Sequence, residues 1–184
     1  MFTGTVTQAN RPIEDADRIL KTTLDIEKLD ITNEDSLAEA STIIATAYIT
    51  QYSSAIEKYI EAITNKHSLI EQGSDFLADM QREKVAAESN SSGFTYMPGN
   101  LVNFLNKHGI KYDRTGGDTK QNGKEWQVNI EYLNSWIKGR SNEVETDVIK
   151  LNDIINKQNQ LLESTTTILK KTHDLLENIT KSLV

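Results

Sequence analysis

The sequence predicts a mainly α-helical fold, a long antiparallel coiled-coil hairpin with a small α+β insertion between its two long helices. Three observations lead to this prediction. The 184 residues include only two prolines and nine glycines, which leaves long stretches without helix breakers. In two of these stretches, apolar residues recur in steps of four and three, the spacing of a helix that packs lengthwise on a partner. Aromatic residues make up only 7 %, which suits helices packed side by side better than a compact core.

The composition excludes several classes of protein. Without cysteine there is no disulfide framework, thiol nucleophile or thiolate-bound metal. The net charge of −7, without any Lys/Arg-rich tract, argues against nucleic acid as a partner and against direct binding to an anionic membrane. The N-terminus lacks the basic and apolar blocks of a cleaved signal peptide, and no apolar run is long enough for a membrane-spanning helix.

The chain divides into four predicted segments. Residues 1–32 form a polar leader, flexible or weakly helical, whose apolar residues Ile13, Ala16, Leu20 and Leu24 follow Pro12. Residues 33–88 form the first long coiled-coil helix. The residues of this helix that we predict to lie in the intramolecular seam are Ile49, Tyr52, Ile56, Tyr59, Ile63, Ile70 and Leu77.

The third segment, residues 89–140, interrupts the heptad pattern and predicts the α+β insertion. A short amphipathic helix is expected to end at Gly109, because glycine is favoured just after a helix C-terminus. Trp126, Val128 and Ile130 alternate with polar residues after the turn-forming pair Asn122-Gly123, which predicts a β-hairpin. The predicted core of the insertion is Phe104, Trp126, Val128, Ile130 and Trp136.

The fourth segment, residues 141–184, predicts the C-terminal long coiled-coil helix, with Asn142 and Glu145 as a capping pair at its start. It contributes Val148, Leu151 and Ile155 to the intramolecular seam. Two adjacent apolar stripes follow, which are wider than a two-stranded seam needs. The predicted assembly or chaperone-binding stripe comprises Ile154, Leu161, Leu162, Ile168, Leu169, Leu175, Leu176, Ile179 and Leu183. The alternative is that the N-terminal segment folds back and covers these residues.

Some predicted seam positions are polar: Lys66 and Gly73 in the first helix, and Gln158, Thr165 and Thr172 in the second. One interpretation is that they lie near each other and fix the register of the hairpin, at some expense in stability. The other is that they are tolerated exposed positions.

No pattern in the sequence indicates catalysis. The histidines His67, His108 and His173 belong to no metal-binding motif, and Gly116-Gly117 belongs to no phosphate-binding loop. We therefore expect a protein that is not an enzyme and that has no cofactor and no bound metal.

The order of parts resembles the needle-tip and filament proteins of type III secretion systems. MPGNLVNFLNKHGIKYD (97–113) resembles the Pro-led short helix that follows the first coiled-coil helix in the EspA and SseB filament family. The stretch 131–171 resembles that family's passage into its Gln/Asn-rich terminal helix. WQVNIEYLNSWI (126–137) resembles the strand and Leu-containing helix of the IpaD and SipD tip proteins. The resemblance extends over residues 36–184 and is one of pattern, with few diagnostic residues.

This resemblance implies export without cleavage of a signal peptide to the bacterial surface or medium. It implies assembly with further copies of the chain on the needle subunit, and support for hydrophobic translocator proteins that deliver effectors into host cells. The chain lacks the extra N-terminal helical hairpin of larger tip proteins, which implies a separate cytoplasmic chaperone, while its long glycine-rich turn leaves filament and tip both open.

Two other hypotheses remain. A cytoplasmic coiled-coil adaptor would use the hairpin to bind a different protein. An enzyme would require His108, Asp113 and Asp118 to meet in a pocket of the insertion.

Overall fold

The computed structural model describes residues 13–18, 34–114 and 119–182. Residues 13–18 are helical and are called α1. The remaining elements follow in chain order: α2 (Glu34–Ser89), β1 (Thr95–Tyr96), α3 (Gly99–Lys107), β2 (Lys120–Gln121) and α4 (Gly123–Ser182). The prediction of two long helices that pack against each other, with a small α+β insertion between them, is confirmed.

The chain forms two compact units, and α2 and α4 contribute to both. The first unit contains the described residues between 62 and 147, and the second contains those between 12 and 61 and between 148 and 184. In the first unit, Glu88 faces Gly123, Lys84 bonds to Gln127, and Lys66 bonds to Asp147. Positions that descend along α2 thus meet positions that ascend along α4, so the two helices are antiparallel.

The start of α4 lies earlier than the sequence predicts. Asn122 caps the helix: its Oδ1 accepts hydrogen bonds from the backbone N–H groups of Lys124 and Glu125, at 2.9 and 3.1 Å. Glu125 returns a bond, its Oε2 accepting the Asn122 N–H at 2.7 Å. This reciprocal capping box satisfies donors that the first helical turn leaves free. The predicted capping pair Asn142–Glu145 is wrong, because both residues lie inside α4.

Because α4 begins at Gly123, the predicted β-hairpin over Trp126–Ile130 and the boundary at residue 140 are also wrong. The observed sheet of the insertion pairs β1 with β2 in antiparallel register, Thr95 opposite Gln121 and Tyr96 opposite Lys120. The helix α3 connects the strands and ends before Gly109, which has a φ of 65°. Glycine suits that left-handed conformation because it has no Cβ.

The core of the first unit lies where α2, α3 and the start of α4 meet. Of the predicted insertion core, Phe104, Trp126 and Ile130 are buried and Trp136 is half-buried, whereas Val128 is 38 % exposed. Helical geometry explains this exception: Trp126, Ile130 and Leu133 share one face of α4, and residue 128 lies on the opposite face. The buried residues of this core are Met80, Ala87, Met97, Leu101, Phe104, Leu105, Ile110, Trp126, Ile130 and Leu133.

Candidate interaction surfaces

The seam of α2 is rotated by about one residue from the predicted one. Ala55 and Ala62 are fully buried, whereas the neighbouring Ile56 and Ile63 are only half-buried. Tyr59 is buried as predicted. The small alanine side chains occupy the centre of the seam, and the isoleucines flank it. The other predicted seam residues of α2, which are all half-buried, are Ile49, Tyr52, Ile70 and Leu77.

The seam of α4 is shifted in the same way. Ile154 is buried and Leu161 half-buried, so both face inward rather than belonging to an assembly stripe. Val148, predicted in the seam, is 38 % exposed, while Leu151 and Ile155 are half-buried. The seam is shifted because the charged residue Asp147 occupies the position that the apolar pattern assigns to its neighbour Val148.

The buried Asp147 receives Lys66 of α2. The Lys66 Nζ lies 2.7 Å from Asp147 Oδ2, and the two side chains are 4 % and 6 % exposed. A second carboxylate, that of Glu143, lies 3.3 Å from the same Nζ and also receives Arg140 at 2.9 Å. Lys66 therefore has two carboxylates in its immediate surroundings.

The other polar seam positions are each satisfied separately. Gln158 Nε2 donates to Ser53 Oγ at 2.8 Å and to the Ile49 carbonyl at 3.3 Å. Thr165 and Thr172 donate to carbonyl oxygens one turn earlier in α4. Gly73 admits Trp136, since a Cβ at this glycine would lie 3.1 Å from the indole ring. The polar positions thus do not form one common layer.

Several apolar side chains of α4 are exposed. Leu162 is 42 % exposed, Ile168 48 %, Leu169 39 % and Leu175 62 %. Four residues of the predicted stripe are therefore on the surface, whereas Ile154 and Leu161 face inward. The side chains of Leu176, Ile179 and Leu183 lie outside the described residues.

The helix α1 contacts α2 in the second unit. Tyr59 donates to Asp17 Oδ1 at 2.9 Å, and Ile13 and Ala16 are buried. The nearby Lys58 has a raised pKa, mainly through its hydrogen bond and charge interaction with Glu61, with a smaller effect of Asp15. The described part of the leader therefore folds back onto α2, and it leaves Leu162 and Leu169 of α4 exposed. Leu20 and Leu24 lie outside the described residues.

An aromatic cluster joins α3 to both long helices in the first unit. The Phe104 ring lies 4.9 Å from Phe76, 4.6 Å from His108 and 5.6 Å from Trp136, centroid to centroid. Arg140 lies over the Trp136 ring at 5.6 Å. Burial lowers the pKa of His108, and the positive charges of Lys107 and Arg140 lower it further. His108 is thus an aromatic packing residue.

Among the described residues, the side chains considered for chemistry from the sequence lie in separate places. His67 is exposed on α2 and His173 on α4. His108 packs in the aromatic cluster, Asp113 lines a separate open groove with Tyr112 and Arg114, and Asp118 lies outside the described residues. Over residues 13–18, 34–114 and 119–182, no three His, Asp or Glu residues group as metal ligands would. Within the same ranges, no helix has the length and apolar character needed to traverse a bilayer.

Sequence reasoning missed a buried polar cluster that attaches the β2 end of the insertion to α4. Asn129 Nδ2 donates to Gln121 Oε1 at 2.7 Å, and Asn129 Oδ1 accepts the Asp113 N–H at 2.6 Å. Gln121 Nε2 donates to the Asp113 carbonyl at 3.3 Å. A periodicity of apolar residues gives no signal for such a cluster.

Comparison of the chain with protein-family models, with curated proteins and with solved structures finds no match.

Proposed function

We propose that this protein is a secreted structural component of a type III secretion system, which assembles at the needle tip or as a filament. In this role it supports translocators that deliver effectors into host cells. The resemblance over residues 36–184 motivates the proposal, and the observed helical hairpin with its insertion supports it.

The observation that carries the proposal is the set of exposed apolar side chains on α4. Leu162, Ile168, Leu169 and Leu175 recur along one helix with 39–62 % exposure. Recurrent exposed apolar residues mark surfaces for association, because their burial against a partner removes apolar area from water. Before export, such an exposed surface would promote aggregation, so a cytoplasmic chaperone that covers it is a proposed partner. The remaining proposed partners are further copies of the chain, the needle subunit and the hydrophobic translocators.

Export and assembly are tested separately. The full chain is expressed in a type III-competent host, and the culture medium is compared between cells with an intact and a disabled apparatus. We expect the protein in the medium only when the apparatus is intact. Release from both strains, or from neither, would overturn the proposal.

Assembly is tested with the double variant Leu162→Asp/Leu169→Asp. We expect purified wild-type protein to form oligomers or filaments and the variant to remain monomeric, because two carboxylates oppose burial of the surface. The control is Ile149→Asp, which changes a side chain of 63 % exposure elsewhere on the same helix. A wild-type protein that is monomeric at high concentration and is not exported would instead indicate the cytoplasmic adaptor.

A further inference from the structure

The second unit has an apolar flank beside its helix–helix seam. Ala55 and Tyr59 of α2 and Ile154 of α4 are buried seam residues, which sets the heptad phase of each helix. Because the helices are antiparallel, the positions just beyond the seam on one flank come from both helices. Ile49 and Ile56 of α2 and Ile155, Leu162 and Leu169 of α4 occupy these positions.

The hydrogen bonds of Gln158 support this arrangement. Its amide crosses from the seam of α4 to the Ile49 carbonyl and to Ser53 of α2. Ser53 is one of the polar residues that border the apolar row. The bordering residues are Thr46, Ser53, Asn152, Asn159 and Thr166.

No ionisable side chain belongs to this flank between residues 46–60 and 152–169, although 26 % of the chain is charged. We call the apolar row and its polar border the uncharged face. The opposite flank carries Lys58, Lys150 and Lys157, and α1 contacts the hairpin beside Lys58 through the Asp17–Tyr59 bond. The described part of the leader therefore leaves the uncharged face open.

We infer that the uncharged face binds the same face of a second copy of this chain, so that two hairpins form a four-helix arrangement. The inference rests on the proposed self-assembly and specifies its interface. Helices with an apolar row beside their seam are typical of bundles, in which each helix has neighbours on two sides. An antiparallel hairpin also repeats its apolar row on both helices, which makes the face self-complementary, as a two-fold interface requires.

Charge favours a second copy over a different partner. Two copies with a net charge of −7 each repel one another, and this repulsion is smallest where the contacting surfaces carry no charge. Depletion of charged residues is also the compositional mark of an interface core. A charged partner, such as a basic or acidic helix, would find no complementary groups on this face.

The first test measures the dimer dissociation constant of the full chain by sedimentation equilibrium. We expect Leu162→Lys to raise this constant by at least about tenfold, and the matched Ile149→Lys to leave it within about twofold. Ile149 is the more exposed of the two, at 63 % against 42 %, and belongs neither to the apolar row nor to its polar border. Equal effects of the two substitutions, or a monomeric wild-type protein, would overturn the inference.

The second test uses the absence of cysteine from the chain. Asn159→Cys places a thiol on the uncharged face and Lys157→Cys places one on the opposite flank, and both native side chains are exposed. We expect a short bis-maleimide to join two copies of Asn159→Cys and not of Lys157→Cys. Crosslinking through Lys157→Cys alone, or through neither, would overturn the inference. A dimer that crosslinks at residue 159 without being exported would leave the interface standing and would overturn the type III proposal alone.

Discussion

Lys66 of α2 and Asp147 of α4 form an ion pair, with 2.7 Å between Nζ and Oδ2, in the buried seam of the first unit. Removing two charges from water costs several kcal/mol per ion, and their attraction offsets this cost only in good geometry. The pair therefore favours one alignment of the helices more than it raises the stability of the fold. A slip of one heptad in one direction would bring Lys66 to the level of Arg140, a like charge.

The first prediction concerns this pair. Asp147→Leu removes the nearer carboxylate and leaves the Lys66 ammonium buried beside the partly exposed Glu143. We expect the free energy of unfolding in urea to fall by about 3 kcal/mol. The double variant Lys66→Met/Asp147→Leu removes both charges, and we expect it to lie within about 1 kcal/mol of wild type. Equal losses in the single and double variants would contradict this explanation.

The second prediction compares two glycines inside helices. An alanine Cβ at Gly73 would lie 3.1 Å from Trp136 and 3.2 Å from Ile137, whereas nothing lies within 4 Å of the corresponding position at Gly139. Phe104, His108 and Arg140 surround the Trp136 ring and restrict its movement. We expect Gly139→Ala to stabilise the protein by up to about 1 kcal/mol through helix propensity. Gly73→Ala should destabilise it by about 1 kcal/mol, since overpacking outweighs the same gain.

Thermal unfolding, followed by circular dichroism, compares the stability of the two glycine variants with that of the wild-type protein. Their melting temperatures should move in opposite directions. A rise in both would mean that the indole of Trp136 yields to the added methyl group.

The third prediction concerns the start of α4. Asn122→Ala removes the acceptor of two backbone N–H groups, and we expect a loss of about 1 kcal/mol in the free energy of unfolding. Asn142→Ala is the matched control, because Asn142 also precedes a glutamate by three residues but lies on an exposed part of the helix interior. We expect no loss there, since alanine has the better helix propensity. A larger loss at residue 142 would place the helix start where the sequence pattern first suggested.

The fourth prediction concerns pH. Burial lowers the pKa of His108 below its ordinary value of 6.5, so the unfolded chain binds a proton more readily than the folded one. The free energy of unfolding must then decline as the pH falls from about 6.5 toward the folded-state pKa of His108. At higher pH the imidazole is neutral in both states, and this destabilising effect is absent. We expect His108→Phe, measured by urea unfolding between neutral and mildly acidic pH, to show a smaller decline than wild type. Identical pH profiles would show that His108 does not titrate differentially.

The apolar repeats predict the two long helices correctly, but they give neither the phase of the helix seam nor the start of α4. The long helices and the end of α3 just before Gly109 follow from periodicity and glycine chemistry, and both are observed. The helix phase was misassigned because small or charged residues, Ala55 and Asp147 among them, occupy seam centres that an apolar count passes over. The hairpin turn predicted at Asn122-Gly123 is wrong, because a capping asparagine and a turn asparagine look alike in sequence until the partner of Oδ1 is known.

The antiparallel seam also constrains how the chain can change in length. Deleting one residue of α2 between Lys66 and Met80 would rotate Lys66 by about 100° relative to the core around Met80, and Lys66 would no longer meet Asp147. A deletion of seven residues between Lys66 and Met80 would restore the helix phase, but it would need an equal deletion from α4 between Leu133 and Asp147. Homologous chains should therefore differ within this hairpin by paired heptads, while single-residue insertions accumulate in the connecting segment 90–94, which lies outside both helices.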